Sequence, residues 1–312
     1  MATVRHWAEM RESGFVGGIL LLYWLHRLFG RWPFRFLIHA VVMFYWLGKP
    51  TLRASSRQYL QRLHAATGVP GHPPGLRDSL RHIALFAETI LDKLLAVAGR
   101  YPFERVRLEG REQLQAAAEA GLGGLIVTAH IGCLELCRAM AERNRRLVLN
   151  ILVHTRHAAE FNRLLKRLNP ANDLRLIEVS EVGPATAVLL AEKVAAGEFV
   201  VIAGDRVPVF ASKTVRVDFL GHPAPFPVGP YVLASLLKCP LYLLGCIHQD
   251  QGYTIHFRRL AQRVELPRGR RDAAMAEYAT LYAQALCELL QRSPYDWFNF
   301  FPFWDQDHAY PR

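Results

Sequence analysis

Residues 124–135 read Gly-Leu-Ile-Val-Thr-Ala-His-Ile-Gly-Cys-Leu-Glu, GLIVTAHIGCLE, and the rest of the chain is arranged around them. Leu125-Ile126-Val127 is a short apolar run of the kind that forms a buried strand. It leads through Thr128-Ala129 to His130, and a helical pattern begins soon after. His130 and Glu135 are five apart, which on a regular helix turns them roughly 140° from each other. They meet only if His130 precedes the helix and Glu135 lies in its first turns. An imidazole beside a carboxylate makes a general base with an orienting partner. On the residues alone, catalysis and a satisfied core histidine both stay open. Gly132 and the strand-end position favour catalysis.

Outward from this stretch, strands and helices alternate. Strands are expected at 105–109, 123–129, 147–153, 174–179, 199–203, 241–247 and 253–258. Helices are expected at 113–120, 134–144, 158–168, 185–196, 230–238 and 271–290. A long loop is expected between 203 and 230. That alternation predicts an α/β layered fold with a largely parallel central sheet flanked by helices. Ligands in such sheets bind beyond the carboxyl ends of the strands. His130, Arg156 and Asp205 all follow strands and are expected to converge there.

The first hundred residues differ. Phe15–Leu25 and Phe36–Leu47 are apolar, but each is shorter than the roughly 20 residues that span a bilayer. Arginines and histidine separate them, and Trp7, Tyr23, Trp24, Trp32, Tyr45 and Trp46 suit the headgroup level. Residues 1–50 are therefore expected to form a hydrophobic helical anchor lying in the interface with snorkelling arginines, Arg35 among them. A tilted span from Gly14 to Phe29 and a buried hairpin are the alternatives. Residues 51–100 are amphipathic and helical, broken by the loop Gly68–Gly75. Residues 101–312 form the catalytic domain.

Composition narrows the function classes. The 312 residues carry 38 Lys and Arg against 27 Asp and Glu, a net charge of +11. Such an excess selects anionic partners. Aromatics do not interleave with the basic residues as a nucleic-acid stacking surface requires, so nucleic acid is not expected. The run from Arg258 to Arg271 is expected to face lipid headgroups or an acidic protein. The five cysteines are odd in number and irregularly spaced, which fits reduced thiols facing the cytosol. His130, Cys133 and Cys137 lack a fourth ligand at zinc spacing, so no metal is expected and the cysteines read as packing. No serine nucleophile elbow is present, so the nucleophile is expected to belong to the substrate.

These residues resemble a family. Thr128–Glu135 resembles the H-x4-D/E block of the lysophospholipid acyltransferase superfamily, and most closely the bacterial lipid A biosynthesis late acyltransferases. Gly204-Asp205-Arg206-Val207-Pro208, Val217–Ala224 and Pro227–Pro230 resemble later blocks of that branch in the same order. The tail Pro294–Phe300 and Gly204-Asp205-Arg206 resemble a subgroup associated with aryl polyene-type lipids. The resemblance implies transfer of a fatty acyl chain from a thioester to a hydroxyl or amine of a lipid-like acceptor. The thioester would be on acidic acyl carrier protein or coenzyme A, as co-substrate, with no other cofactor. His130 would be the base and Glu135 its partner. Gly132, Arg156, Asn162, Asp205 and Arg206 would contact substrate. Main-chain N–H groups of Ile131–Cys133 would hold the oxyanion, and an apolar tunnel beside His130 the acyl chain. The cytoplasmic face of the inner membrane is the implied location. The branch's usual Asp-Gln pair reads Asp205-Arg206 here, which implies an anionic group near Arg206. The alternatives are a thioesterase using the same pair and an inactive membrane scaffold of this fold.

Overall fold

The computed structural model describes residues 23–24, 26–143, 147–153, 176–178, 183–207 and 213–305. Three helices come first: α1 Arg31–Gly48, α2 Pro50–Thr67 and α3 Leu76–Val97. Pro50 opens α2, where a missing N–H costs nothing, and Gly68 closes it in the left-handed conformation (φ 76°). At the start of α3 the Asp78 carboxylate accepts the Gly75 main-chain N–H at 2.8 Å.

Beyond them lie β1 Val106–Glu109, α4 Arg111–Glu119, β2 Gly124–Gly132, α5 Leu134–Arg143, β3 Leu149–Val153 and β4 Leu176–Glu178. These are followed by α6 Pro184–Ala195, β5 Phe199–Ala203, β6 Thr214–Phe219, β7 His222–Pro227, α7 Gly229–Leu237, β8 Leu241–Gln249, β9 Gly252–Ala261 and α8 Arg271–Arg292. Seven strands form one sheet in the order β1-β9-β8-β2-β5-β3-β4, with β2 at its centre. All its pairings are parallel except β8 with β9. The expected α/β fold with a largely parallel sheet is thus present. The long loop expected after β5 contains an antiparallel hairpin, β6–β7. Its strand His222–Pro227 carries three prolines, which masked it.

The central strand is buried along its length, as a parallel strand covered on both faces must be. Leu125, Val127, Ala129 and Ile131 enter one core with α2, α7, α8 and the aromatic tail after residue 293. Ile126 enters the other, with α1, α3 and α5. The two-residue period thereby sends His130 toward the α3 and α5 side. Tyr59, Leu60 and Leu63 of α2 belong to the same core as β2, so the amphipathic segment packs on the half of the chain that carries the sheet.

Among the described residues no helix is long and apolar enough to cross a membrane. Most of Phe15–Leu25 lies outside the described residues. In α1 Phe34, Ile38, Val42 and Trp46 are buried at helical spacing against the α3 side. The opposite face exposes Trp32 (82%), Phe36 (75%) and Phe44 (74%). The Arg35 guanidinium binds Glu88 of α3 at 3.0 Å.

Candidate active site

Thr128 of β2 is in register with Ala203 of β5. His130 and Asp205 each lie two residues beyond that pair, so two neighbouring parallel strands deliver them side by side. Gly204 makes this approach feasible, because a Cβ there would stand 2.4 Å from the Val127 side chain. The Asp205 carboxylate accepts both the His130 main-chain N–H (2.9 Å) and the ring Nδ1–H (2.8 Å). Since a carboxylate only accepts, Nδ1 carries the hydrogen and Nε2 keeps its lone pair. The His130 side chain is 35% exposed and that of Asp205 is fully buried.

Two further donors fix Asp205. Trp297 Nε1–H (2.9 Å) and Asn299 Nδ2–H (2.8 Å) both donate to its Oδ2. Asn299 also accepts from Arg206 Nε at 3.1 Å, and Arg206 Nη2 donates to the Phe298 carbonyl at 3.4 Å. Burial alone would raise the Asp205 pKa, but the His130 ring, its N–H groups and Arg206 outweigh it and hold the carboxyl below the usual range. Burial and then Arg206 lower the pKa of His130, with a smaller push from Lys93, and together these outweigh the pull of Asp205. The pair at neutral pH is a neutral imidazole against an ionised, fully saturated carboxylate.

The sequence reading placed Glu135 in that orienting role. In the structure Glu135 lies in the first turn of α5 and pairs with Lys93 of α3 at 3.3 Å. The partner of His130 Nδ1 is Asp205. The physical reason is the turn at Gly132, which separates the end of β2 from α5. Gly132 has φ 52°, and a Cβ on it would stand 1.7 Å from the Cys246 carbonyl oxygen. Its requirement for glycine is therefore steric.

The expected oxyanion donors are partly committed elsewhere. Gly132 N–H donates to the Asp296 carbonyl at 2.9 Å and Cys133 N–H to the Cys246 carbonyl at 3.2 Å. Cys133 is fully buried, and burial pushes its thiol well above the ordinary value, consistent with packing. Arg156 and Asn162 lie outside the described residues. The basic run from Arg258 sits at the opposite edge of the sheet: Arg258 and Arg259 pair with Leu243 and Tyr242 near the start of β8. A cleft of about 310 Å³ opens at the β8–β9 turn between Glu104, Arg105, Arg107 and residues 249–254. It does not border His130, so it is not the apolar tunnel expected beside that residue.

Sequence reasoning missed Trp297 and Asn299 as site residues. The aromatics of the tail Trp297–Trp304 suit either core packing or the border of an acyl tunnel, and most of them are buried in the core. Trp297 is fully buried against Tyr59, Phe219, Phe303 and Trp304. The available signal was Asp296 and Asn299 placed among those aromatics, since polar groups buried in such a segment need partners.

A His–Asp pair at the carboxyl edge of a parallel sheet, in this block order, agrees with one comparison. The model of the bacterial lipid A biosynthesis acyltransferase family matches residues 89–306, more than half of the chain. The match begins within α3, so the last turns of the amphipathic segment belong to the matched region. No curated protein matches the chain. By that match the chain belongs to the bacterial lipid A biosynthesis acyltransferase family.

Proposed function

We propose that this acyltransferase moves a fatty acyl chain from a thioester to a hydroxyl or amine of a lipid or lipid-like acceptor, with His130 as general base. One observation carries the reading: buried Asp205 fixes Nδ1–H and leaves the lone pair on Nε2. His130 Nε2 takes the acceptor's proton while the acceptor oxygen or nitrogen attacks the thioester carbonyl. The tetrahedral intermediate carries an oxyanion. When the C–S bond breaks, the thiolate takes the proton from His130. Arg206 and Lys93 lie close enough to depress the imidazole pKa, and the same positive field favours the oxyanion. Glu135 holds Lys93 in place by its ion pair. Acyl carrier protein is the donor that best suits a chain of net charge +11. Arg156, Asn162 and Arg206 are assigned to substrate, and aryl polyene-type lipids belong among the acceptors to test.

A purified protein given acyl thioester and acceptor should form acylated acceptor, and His130→Ala should reduce that rate about 10²–10⁴-fold. Release of free fatty acid at the same rate without acceptor would instead indicate a thioesterase. Full transfer by His130→Ala would remove the base assignment.

We also propose that α1 lies in the interface of the inner membrane's cytoplasmic face. Its exposed Trp32, Phe36 and Phe44 are what supports this. Trp32→Ser with Phe36→Ser should cut cosedimentation with anionic phospholipid vesicles by at least about tenfold. Unchanged binding would contradict the assignment.

A further inference from the structure

A second His–Asp pair stands on the neighbouring strand. His248 lies near the end of β8, which runs parallel to β2. Asp296 accepts the His248 main-chain N–H (2.6 Å) and the ring Nδ1–H (2.6 Å). This repeats the arrangement of Asp205 around His130 atom for atom. Asp296 is fully buried and also accepts from Ser293 Oγ at 2.6 Å. The His248 ring rests on Tyr253, with 4.0 Å between ring centroids.

Between the two pairs runs the strap 293–299. Its Asp296 carbonyl accepts from Gly132 N–H (2.9 Å), and its Phe298 N–H donates to the His130 carbonyl (2.8 Å). Ile131 bridges Trp297 in antiparallel fashion. From the same strap Trp297 and Asn299 reach Asp205. On its other side His82 Nε2–H donates to the Trp297 carbonyl at 2.9 Å, with Ser56 Oγ 3.0 Å from its Nδ1. His248 thus clasps one end of a segment in which Trp297 and Asn299, one and three residues on, donate to Asp205.

We infer that the His248–Asp296 pair is a positioning device that sets the basicity of His130 through Trp297 and Asn299. The inference rests on the proposed role of His130 as base. Trp297 and Asn299 draw negative charge from Asp205 Oδ2. If the strap slips, that carboxylate regains charge and pulls harder on the imidazolium proton, and Arg206, held by Asn299, moves with it. Both effects raise the pKa of His130. The clasp therefore keeps the base neutral at lower pH than a loose strap would.

The test is the pH dependence of kcat/KM for acyl transfer in the full chain. His248→Ala, a change at a partly exposed ring, should lower kcat about tenfold with little change in KM and move the acid limb to higher pH. His248→Asn, whose amide replaces Nδ1–H as a donor, should return the limb to its wild-type position. Trp297→Phe should move the limb the same way, and combining it with His248→Ala should add little further shift. A limb that stays put in His248→Ala, whatever the loss in Tm, would make the pair a structural clasp only and overturn the inference. Independent, additive shifts would overturn it as well. A limb that disappears with His130→Ala but ignores His248 removes this inference and leaves the base assignment intact. Unimpaired transfer by His130→Ala removes both.

Discussion

Replacing Asp205 by Asn should reduce kcat for acyl transfer about 10²–10⁴-fold while leaving the protein folded. The asparagine keeps the volume of the buried carboxyl and one acceptor oxygen. It loses the charge that stabilises the imidazolium formed when His130 takes the acceptor's proton. It also brings an NH2 group that, turned toward Nδ1, favours the tautomer with hydrogen on Nε2, where the lone pair is needed. The remaining oxygen, at the Oδ2 position, still accepts from Trp297 and Asn299, so the network around it is kept. The corresponding change at Glu135 removes an ion pair with Lys93 that is one fifth exposed on the Glu135 side, and should cost far less. The ratio of the two losses separates the orienting roles of the carboxylates.

Gly132→Ala should have the other large effect. A positive φ costs a non-glycine residue about 1–2 kcal/mol. The greater penalty comes from a Cβ that would stand 1.7 Å from a main-chain oxygen of β8, which is too rigid to yield. Relief requires the end of β2 to move, and with it the Gly132–Asp296 hydrogen bond and His130. A total above about 4 kcal/mol is expected, a large share of the roughly 5–15 kcal/mol that holds a domain together. Urea unfolding of Gly132→Ala should show a lowered midpoint or no folded baseline. The soluble fraction should have no measurable transfer activity.

How much of this was legible in the chain follows from the range of each interaction. The strands and helices of the sheet are local patterns, and β5 was readable to its ends because an apolar run stops at Gly204-Asp205. The strand ends also identified His130 and Asp205 as neighbours beyond the carboxyl edge. What sequence spacing got wrong was the partner. Glu135 is near in sequence, but Gly132 turns the chain between it and His130. Asp205 is 75 residues away and meets His130 through strand register, which no local pattern encodes. Trp297 and Asn299 were hidden for the same reason, in a tail whose aromatic content is mostly packing. The hairpin at β6–β7 was masked by its prolines.

The pH profile of kcat/KM for the wild type and Asp205→Asn tests the His130–Asp205 assignment most directly. A neutral imidazole is the active form, so the rate falls as pH drops through the folded pKa of His130. Burial, Arg206 and Lys93 set that pKa below the ordinary histidine value of ~6.5, so the wild-type limb should lie below it. Asp205 works in the opposite direction. Its removal should therefore lower the plateau and carry the limb to still lower pH. A wild-type limb at or above ~6.5, or one that Asp205→Asn leaves in place, would contradict the assignment of His130 as the base and Asp205 as its partner.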